Sequence, residues 1–309
     1  MKKQILDCEN VQESFKNVKL KVRRIERAFI ATALHYSHFV DNSLTKSDIY
    51  NLRDHVIYRF NSLELHIQLL LMHHHSINEQ IKKILKNDPQ ELLRSYNPIH
   101  PYFNKWQQDV SCIFDSLIYH MVSIFDYIST LINYICGSGK DKQQNKKWTN
   151  LTKMALDSKH TFSSTLISKT IVKTNNSFVD KLYEHRSFLI HNKTDLSGFS
   201  FKFDLIGGEI FSTNFLATKR FVNQFSDLKK MIKENPVTIK YVAFWLIQET
   251  INTISELLLD LKKEMELSKE IPVGMLLYLD SETNQLYPSS FPDWKEADLE
   301  NIKMNPIIN

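Results

Sequence analysis

Residues 102–136 read "YFNKWQQDVSCIFDSLIYHMVSIFDYISTLINYIC". Trp106, Val110, Ile113, Leu117, Met121, Ile124, Ile128, Leu131 and Ile135 recur every three or four residues, the spacing of one helix face. A flanking row adds Phe114, Ile118, Phe125 and Ile132. Between Lys105 and Lys140 there is no Lys, Arg or Glu, and the formal charges are Asp109, Asp115 and Asp126. Charged side chains belong in water, so a helix this poor in them is expected to be covered on most sides. It is either the central helix of a bundle or part of an oligomer interface.

The composition agrees with a helical chain. Its 309 residues suffice for one large domain or two modest ones. Hydrophobic residues make up 42% and charged residues 24%, which excludes a disordered chain. There are only 6 glycines, and β-rich folds spend glycine on turns and bulges, so an all-α fold is expected. The net charge of +4 permits nucleic-acid binding without announcing it. Cys8, Cys112 and Cys136 are scattered, which points to a reduced, cytoplasmic protein. The first residues hold no apolar stretch of a secretory signal, and no run of about 18 apolar residues predicts a membrane span.

Working outward from the central segment, Val18, Val22, Ile25, Phe29 and Ala33 predict a helix over 13–38. A longer one is predicted over 46–86, with its stripe running from Ile49 through Phe60 and Ile67 to Ile84. Pro89, Pro98 and Pro101 break the pattern and divide an N-terminal helical region, 1–100, from a domain over 101–268. Further helices are expected at 146–158 and 175–193, while the Ser/Thr/Ile pattern of 161–174 does not decide its state. "FSFKFDLI" and "EIFSTNFL" alternate around Gly207-Gly208, predicting an inserted β-hairpin at about 199–216. Pro236 suits the first turn of a last long helix, 236–268. The tail, 269–309, has one short apolar run, "VGMLLYL", and no predicted place.

Several motifs are weak on chemical grounds. The run His73–His74–His75 points three ways on a helix and lacks a nearby Cys or carboxylate at ligand spacing. His35 and His38 share a face but lack a third ligand. "GSGK", Gly137 to Lys140, follows a helix, whereas a phosphate loop follows a strand. Three Arg–His pairs at short spacing remain: Arg59/His66, Arg94/His100 and Arg186/His191. The first lies inside a long amphipathic helix and reads as two flanking residues. The second lies in the proline-rich break. The third, in "FVDKLYEHRSFLIHNKTD", sits near the end of a short apolar helix, where an imidazole can stay partly exposed.

The order and spacing of "SIFDYISTLINYICG", "KWTNLTKMAL" and "FVDKLYEHRSFLIHNKTD" resemble the HEPN superfamily over roughly residues 101–268. The resemblance implies a helical bundle, here with additional long N-terminal helices and the small inserted hairpin. It implies a metal-independent endoribonuclease without cofactor, acting as a homodimer whose two motifs meet at one cleft. HEPN proteins often serve as toxins or phage-defence effectors, so RNA is the implied substrate and an antitoxin or regulatory protein a possible partner. By the resemblance, Arg186 holds the scissile phosphate and His191 moves protons. Arginine offers an always-charged fork, and histidine titrates near neutral pH. Asn192 and Lys193 would assist phosphate binding, with Glu184 and His185 as adjacent polar candidates or a solvated face. Asp126 would orient Arg186 or His191, or else occupy a solvent-facing edge. Two departures stand out: Ser187 follows the arginine, where Asn, Asp or His is common, and Lys193 stands where some toxins carry a modified tyrosine. Five helical residues turn through about 500°, leaving Arg186 and His191 about 140° apart, which a site shared by two chains would relieve. The alternative reading is a non-catalytic HEPN-like module binding nucleotide, RNA or a protein partner.

Overall fold

The computed structural model describes residues 4–8, 10–40, 48–88, 90, 101–137, 146–191, 195, 198–203, 210–267 and 277–302. Long helices dominate them, with two small antiparallel hairpins. Helices α1 (Val11–Phe39), α2 (Ile49–Asn87) and α3 (Pro101–Cys136) come first. Then follow α4 (Trp148–Leu156), α5 (Leu166–Thr174) and α6 (Asp180–His191). Strands β1 (Gly198–Phe203) and β2 (Ile210–Leu216) precede short helices α7 (Lys219–Gln224) and α8 (Ser226–Ile232). The last long helix is α9 (Ile239–Leu267), followed by β3 (Leu277–Asp280), β4 (Gln285–Pro288) and α10 (Phe291–Ala297).

The apolar stripes explain this packing. Val56, Phe60, Leu63, Ile67 and Leu70 of α2 are buried in the same core as Val110, Leu117, Met121, Ile124 and Ile128 of α3. The N-terminal helices therefore pack on the central helix and share its core. Helix α9 is buried along most of its length, from Ile239 through Trp245 to Met265, and closes the bundle. Helix α3 is covered on its apolar faces only. Tyr119, His120, Ser123, Asp126, Tyr127 and Thr130 are half-buried and form a polar stripe along it. The scarcity of charge thus marks a face of hydroxyls, imidazole and phenols as well as a buried one. Three hydroxyls of this surface turn back onto helix carbonyls: Ser116 onto Cys112, Ser123 onto Tyr119 and Thr130 onto Asp126.

Three local details refine the sequence reading. The segment 161–174 is a 3-10 turn, Thr161–Ser164, leading into α5. The helix expected from 175 begins as a π-helical turn, Asn175–Val179, before α6 proper. Helix α9 is capped by Thr238, whose hydroxyl accepts from the Tyr241 amide at 3.2 Å. Pro236 lies outside the cap, and its carbonyl instead accepts from the Leu6 amide at 2.8 Å. The predicted hairpin forms, with Gly198 opposite Leu216 and an irregularity between Lys202 and Phe203. Its Gly207-Gly208 turn lies outside the described residues. Helices α7 and α8 were not expected.

The tail has a place: residues 277–302 dock on α1. Arg24 pairs with Asp298 at 3.3 Å, and Arg27 with Asp293 at 3.3 Å and Glu296 at 3.0 Å. Lys21 donates to the Ile302 carbonyl at 2.6 Å. The two histidines of "HYSH" make the rest of the joint. His38 bonds Ser289, and His35 Nδ1 bonds Ser290 at 2.9 Å, while Trp294 meets the His35 ring edge-on. Burial, helped by Lys262 and His38, pushes His35 down to about 3 from 6.5. Glu266 lies 3.5 Å from its Nε2, yet that carboxylate is half-exposed and shared with Lys262 at 4.0 Å, so burial prevails. A histidine depressed on folding is charged sooner in the unfolded chain, so its stabilising effect is lost as pH falls from about 6.5 towards 3. The chain is expected to lose about 2 kcal/mol more stability between pH 7 and pH 5 than a His35→Gln variant, measured by urea unfolding.

Candidate functional site

Helix α6 crosses the polar stripe of α3. Its body is fixed by Leu182, fully buried, and by a polar junction around Asp126. The Tyr183 hydroxyl donates to Asp126 Oδ1 at 2.6 Å, and the Trp148 amide donates to the same oxygen at 3.1 Å. Burial first, then the Asp126 charge, raises the Tyr183 phenol above its ordinary value, so it stays a donor at neutral pH. The Trp148 indole donates to Asn175 at 2.9 Å, joining α4 to the π-helical turn that opens α6. Asp126 therefore anchors α6 and the start of α4. No ion pair links it to Arg186 or His191 among the described residues, and both Asp126 and Arg186 act on the Tyr183 phenol.

Arg186 is half-buried, with its guanidinium 6.0 Å from the centre of the Tyr119 ring. That is cation–π range. Its Nε–H is buried without a protein partner. His191 is the last residue of α6 and is exposed. Asn192 and Lys193 lie outside the described residues. Glu184 is exposed and bonds Lys181 at 3.1 Å, so it belongs to a solvated helix face.

His185 is not on such a face: it is 1% exposed. Its Nδ1 bonds Gln224 Oε1 of α7 at 3.0 Å, and its ring meets Phe221 edge-on. Burial lowers its pKa, against the pull of Asp195 and Gln224. His185, Asp115 of α3 and Asp195 line a small cavity of about 10 Å³ together with Thr218. Asp195 accepts from the Thr218 hydroxyl at 2.7 Å. Burial and the Asp195 charge push Asp115 up to about 7. Sequence reasoning missed this cluster because its members come from three separate segments. Since the folded carboxyl holds its proton up to about 7, against 3.8 ordinarily, its contribution to stability falls as pH rises through that window. Asp115→Asn is expected to raise the melting temperature at pH 8, with the gain shrinking as pH drops below 6.

The other Arg–His pairs part company. Arg94/His100 lies outside the described residues. Arg59 and His66 of α2 face the same stripe of α3 from its other side. Arg59 Nη1 donates to His120 Nδ1 at 3.4 Å, and its guanidinium lies 5.4 Å from the Tyr127 ring centre. The His66 and His120 rings stand 4.4 Å apart. Tyr119 and His120 are adjacent residues, so α3 places one arginine on each flank of a single polar ridge. The signal for this was the match of "RFNSLELH" to "YHMVSIFDY" across two helices, which needs the register of their packing.

The histidine run takes separate partners: His74 Nε2 bonds the Thr213 carbonyl at 3.0 Å and His73 faces Asp109 at 3.6 Å. Among the described residues no group of three His, Cys, Asp or Glu is arranged to hold a metal ion. No helix of the described residues is long and apolar enough to cross a membrane. No protein family, curated protein or solved structure matches the chain.

Proposed function

We propose that this chain is a metal-independent endoribonuclease of the HEPN type, cleaving RNA along the α3–α6 face as a homodimer. The observation that carries the reading is the ridge of α3. Two arginines, Arg59 and Arg186, flank a stripe of Tyr119, His120 and Tyr127, and His191 stands exposed at the end of α6. Guanidinium groups beside aromatic rings are the two components that hold a single-stranded phosphodiester chain: charge for the backbone and flat faces for the bases. RNA carries its own nucleophile, the 2′-hydroxyl. The protein then has to grip the phosphate, which is assigned to Arg186, and move a proton, which is assigned to His191. A second chain would bring a second His191 and supply both an acid and a base. Cutting of an RNA pool in chelator by the purified dimer is the test. An intact pool at every enzyme concentration would sink the reading.

A second reading has its own observation. A cavity of about 690 Å³ lies between the hairpin and α7–α8, and its lining includes the apolar Leu216, Val222, Ile232 and Val237 with Lys219, Lys229 and Glu234. That volume fits a small ligand. It supports a binding module that takes a small molecule, and the two readings are separated by whether RNA is cut or a ligand is retained.

A further inference from the structure

The α2 side of the ridge has a hydrogen-bonding pattern that is fixed by its partners. A backbone carbonyl only accepts, so the bond of 2.7 Å between His66 Nδ1 and the Ser62 carbonyl places the proton on Nδ1. Neutral His66 then offers a bare Nε2 lone pair. An arginine only donates, so the 3.4 Å contact from Arg59 makes His120 Nδ1 an acceptor. Neutral His120 therefore carries its proton on Nε2. Burial, His66 and Arg59 all lower the His120 pKa, which keeps that ring in the neutral tautomer. Neither Nε2 has a protein partner among the described residues, and both rings are half-exposed.

Arg59 adds an unmet demand. Its Nε–H is buried and unbonded, although its guanidinium is held between Tyr127 at 5.4 Å and Tyr58 at 5.6 Å. A buried donor without an acceptor is costly, and it leaves this guanidinium without a full set of bonds inside the protein. The side chains thus present a cationic fork, one further N–H donor and one acceptor, within two rings 4.4 Å apart. Tyr58 is 65% exposed beside them and offers a stacking surface.

We propose that Arg59, His120 and His66 form a ribonucleotide subsite on the α2 flank of α3, which takes the phosphate next along the strand and reads the sugar as ribose. The phosphate oxygens accept from Arg59 and from His120 Nε2–H. The ribose 2′-hydroxyl donates to His66 Nε2. DNA satisfies the first two residues and leaves the third empty, so the subsite separates RNA from DNA by one hydrogen bond. The assignment rests on the RNA reading above for its ligand, but not on catalysis by Arg186 or His191.

The test measures binding of a short single-stranded RNA and of DNA with the same bases, by fluorescence anisotropy in chelator. All chains carry His191→Ala so that the RNA stays whole. Arg59→Ala is expected to weaken both strands, roughly tenfold to a hundredfold for a charge-assisted bond. His66→Ala is expected to weaken RNA by about tenfold and leave DNA unchanged, erasing the preference. His66→Gln keeps an acceptor and should retain most of it. Should Arg59→Ala fail to give a native circular dichroism spectrum, Arg59→Lys replaces it, holding the charge without the fork and losing affinity several-fold. If RNA binds more tightly than DNA and these variants leave both affinities unchanged, the subsite is wrong while the RNA reading stands. If the unaltered surface binds RNA no better than DNA, the subsite falls, whereas the RNA reading falls only if the wild-type chain leaves an RNA pool intact.

Discussion

A His191→Ala chain is expected to cut RNA at least 100-fold more slowly than the wild type in the absence of divalent metal, the lower range for loss of a general acid or base. The residue suits a clean test because it is exposed at the last position of α6. Surface substitutions of this kind change stability by about 0.5 kcal/mol or less, so a lost rate is not a lost fold. Arg186 needs a different control, since it is half-buried against Tyr119. Arg186→Lys keeps a charge but loses the planar fork, and a deep loss of cleavage with normal unfolding would point to phosphate geometry rather than charge alone. Equal cleavage by wild type and His191→Ala would remove the α6 motif from the chemistry. The pH profile adds an independent reading, because a limb contributed by a proton-transfer group disappears when that group is removed.

Trp148→Ala is expected to cost about 3–5 kcal/mol, the range for deleting a large buried aromatic side chain. Trp148 is fully buried and meets Phe125 edge-on at 5.3 Å. It also makes two directed bonds: its amide to Asp126 and its indole N–H to Asn175. Truncation opens a cavity beside Phe125 and strips Asn175 of its donor, whereas the backbone bond to Asp126 remains available. A fall in the urea midpoint with an unchanged slope would match a cavity in a cooperative fold. A loss below about 1 kcal/mol would mean that α4 does not hold the start of α6. Trp148→Phe retains most of the packing and should recover more than half of the stability. That variant separates the packing role from the bond to Asn175.

The long helices were legible because their stripes repeat for many turns. Val56, Phe60, Leu63 and Ile67 leave no competing strand reading, and the whole stripe is buried except at Leu52, His74 and Ile84. Short elements lack that redundancy. Helices α7 and α8, within "KRFVNQFSDLKKMI", span 6 and 7 residues, too few for a period to declare itself. The strand within "VGMLLYL" leaves Leu277, Tyr278 and Leu279 facing outward, so its apolar letters carry no inside–outside alternation. The site divides in the same way. Arg186 and His191 were visible because their spacing is local. His185 reads as one more polar letter beside them, since its burial depends on Phe221 and Gln224. His120 looked like an isolated residue of a covered helix, and only packing brings Arg59 and His66 to it. Asp126 was legible as an exceptional charge, but its partners, Tyr183 and the Trp148 amide, arrive from two other helices.

The π-helical turn Asn175–Val179 has a geometric consequence for the motif that follows it. Such a turn holds one residue more than an α-helical turn of the same chain path. Each residue of α-helix advances the side-chain direction by about 100° and the axis by about 1.5 Å. The extra residue therefore works as a phase setting: it fixes which bearing every later side chain of α6 takes. With the phase as it stands, Arg186 faces Tyr119 while His185, one step behind, faces Gln224. Shortening the turn by a single residue would pass the bearing of each side chain to its neighbour in sequence, and the guanidinium and the imidazole would no longer look towards their present sides of the helix.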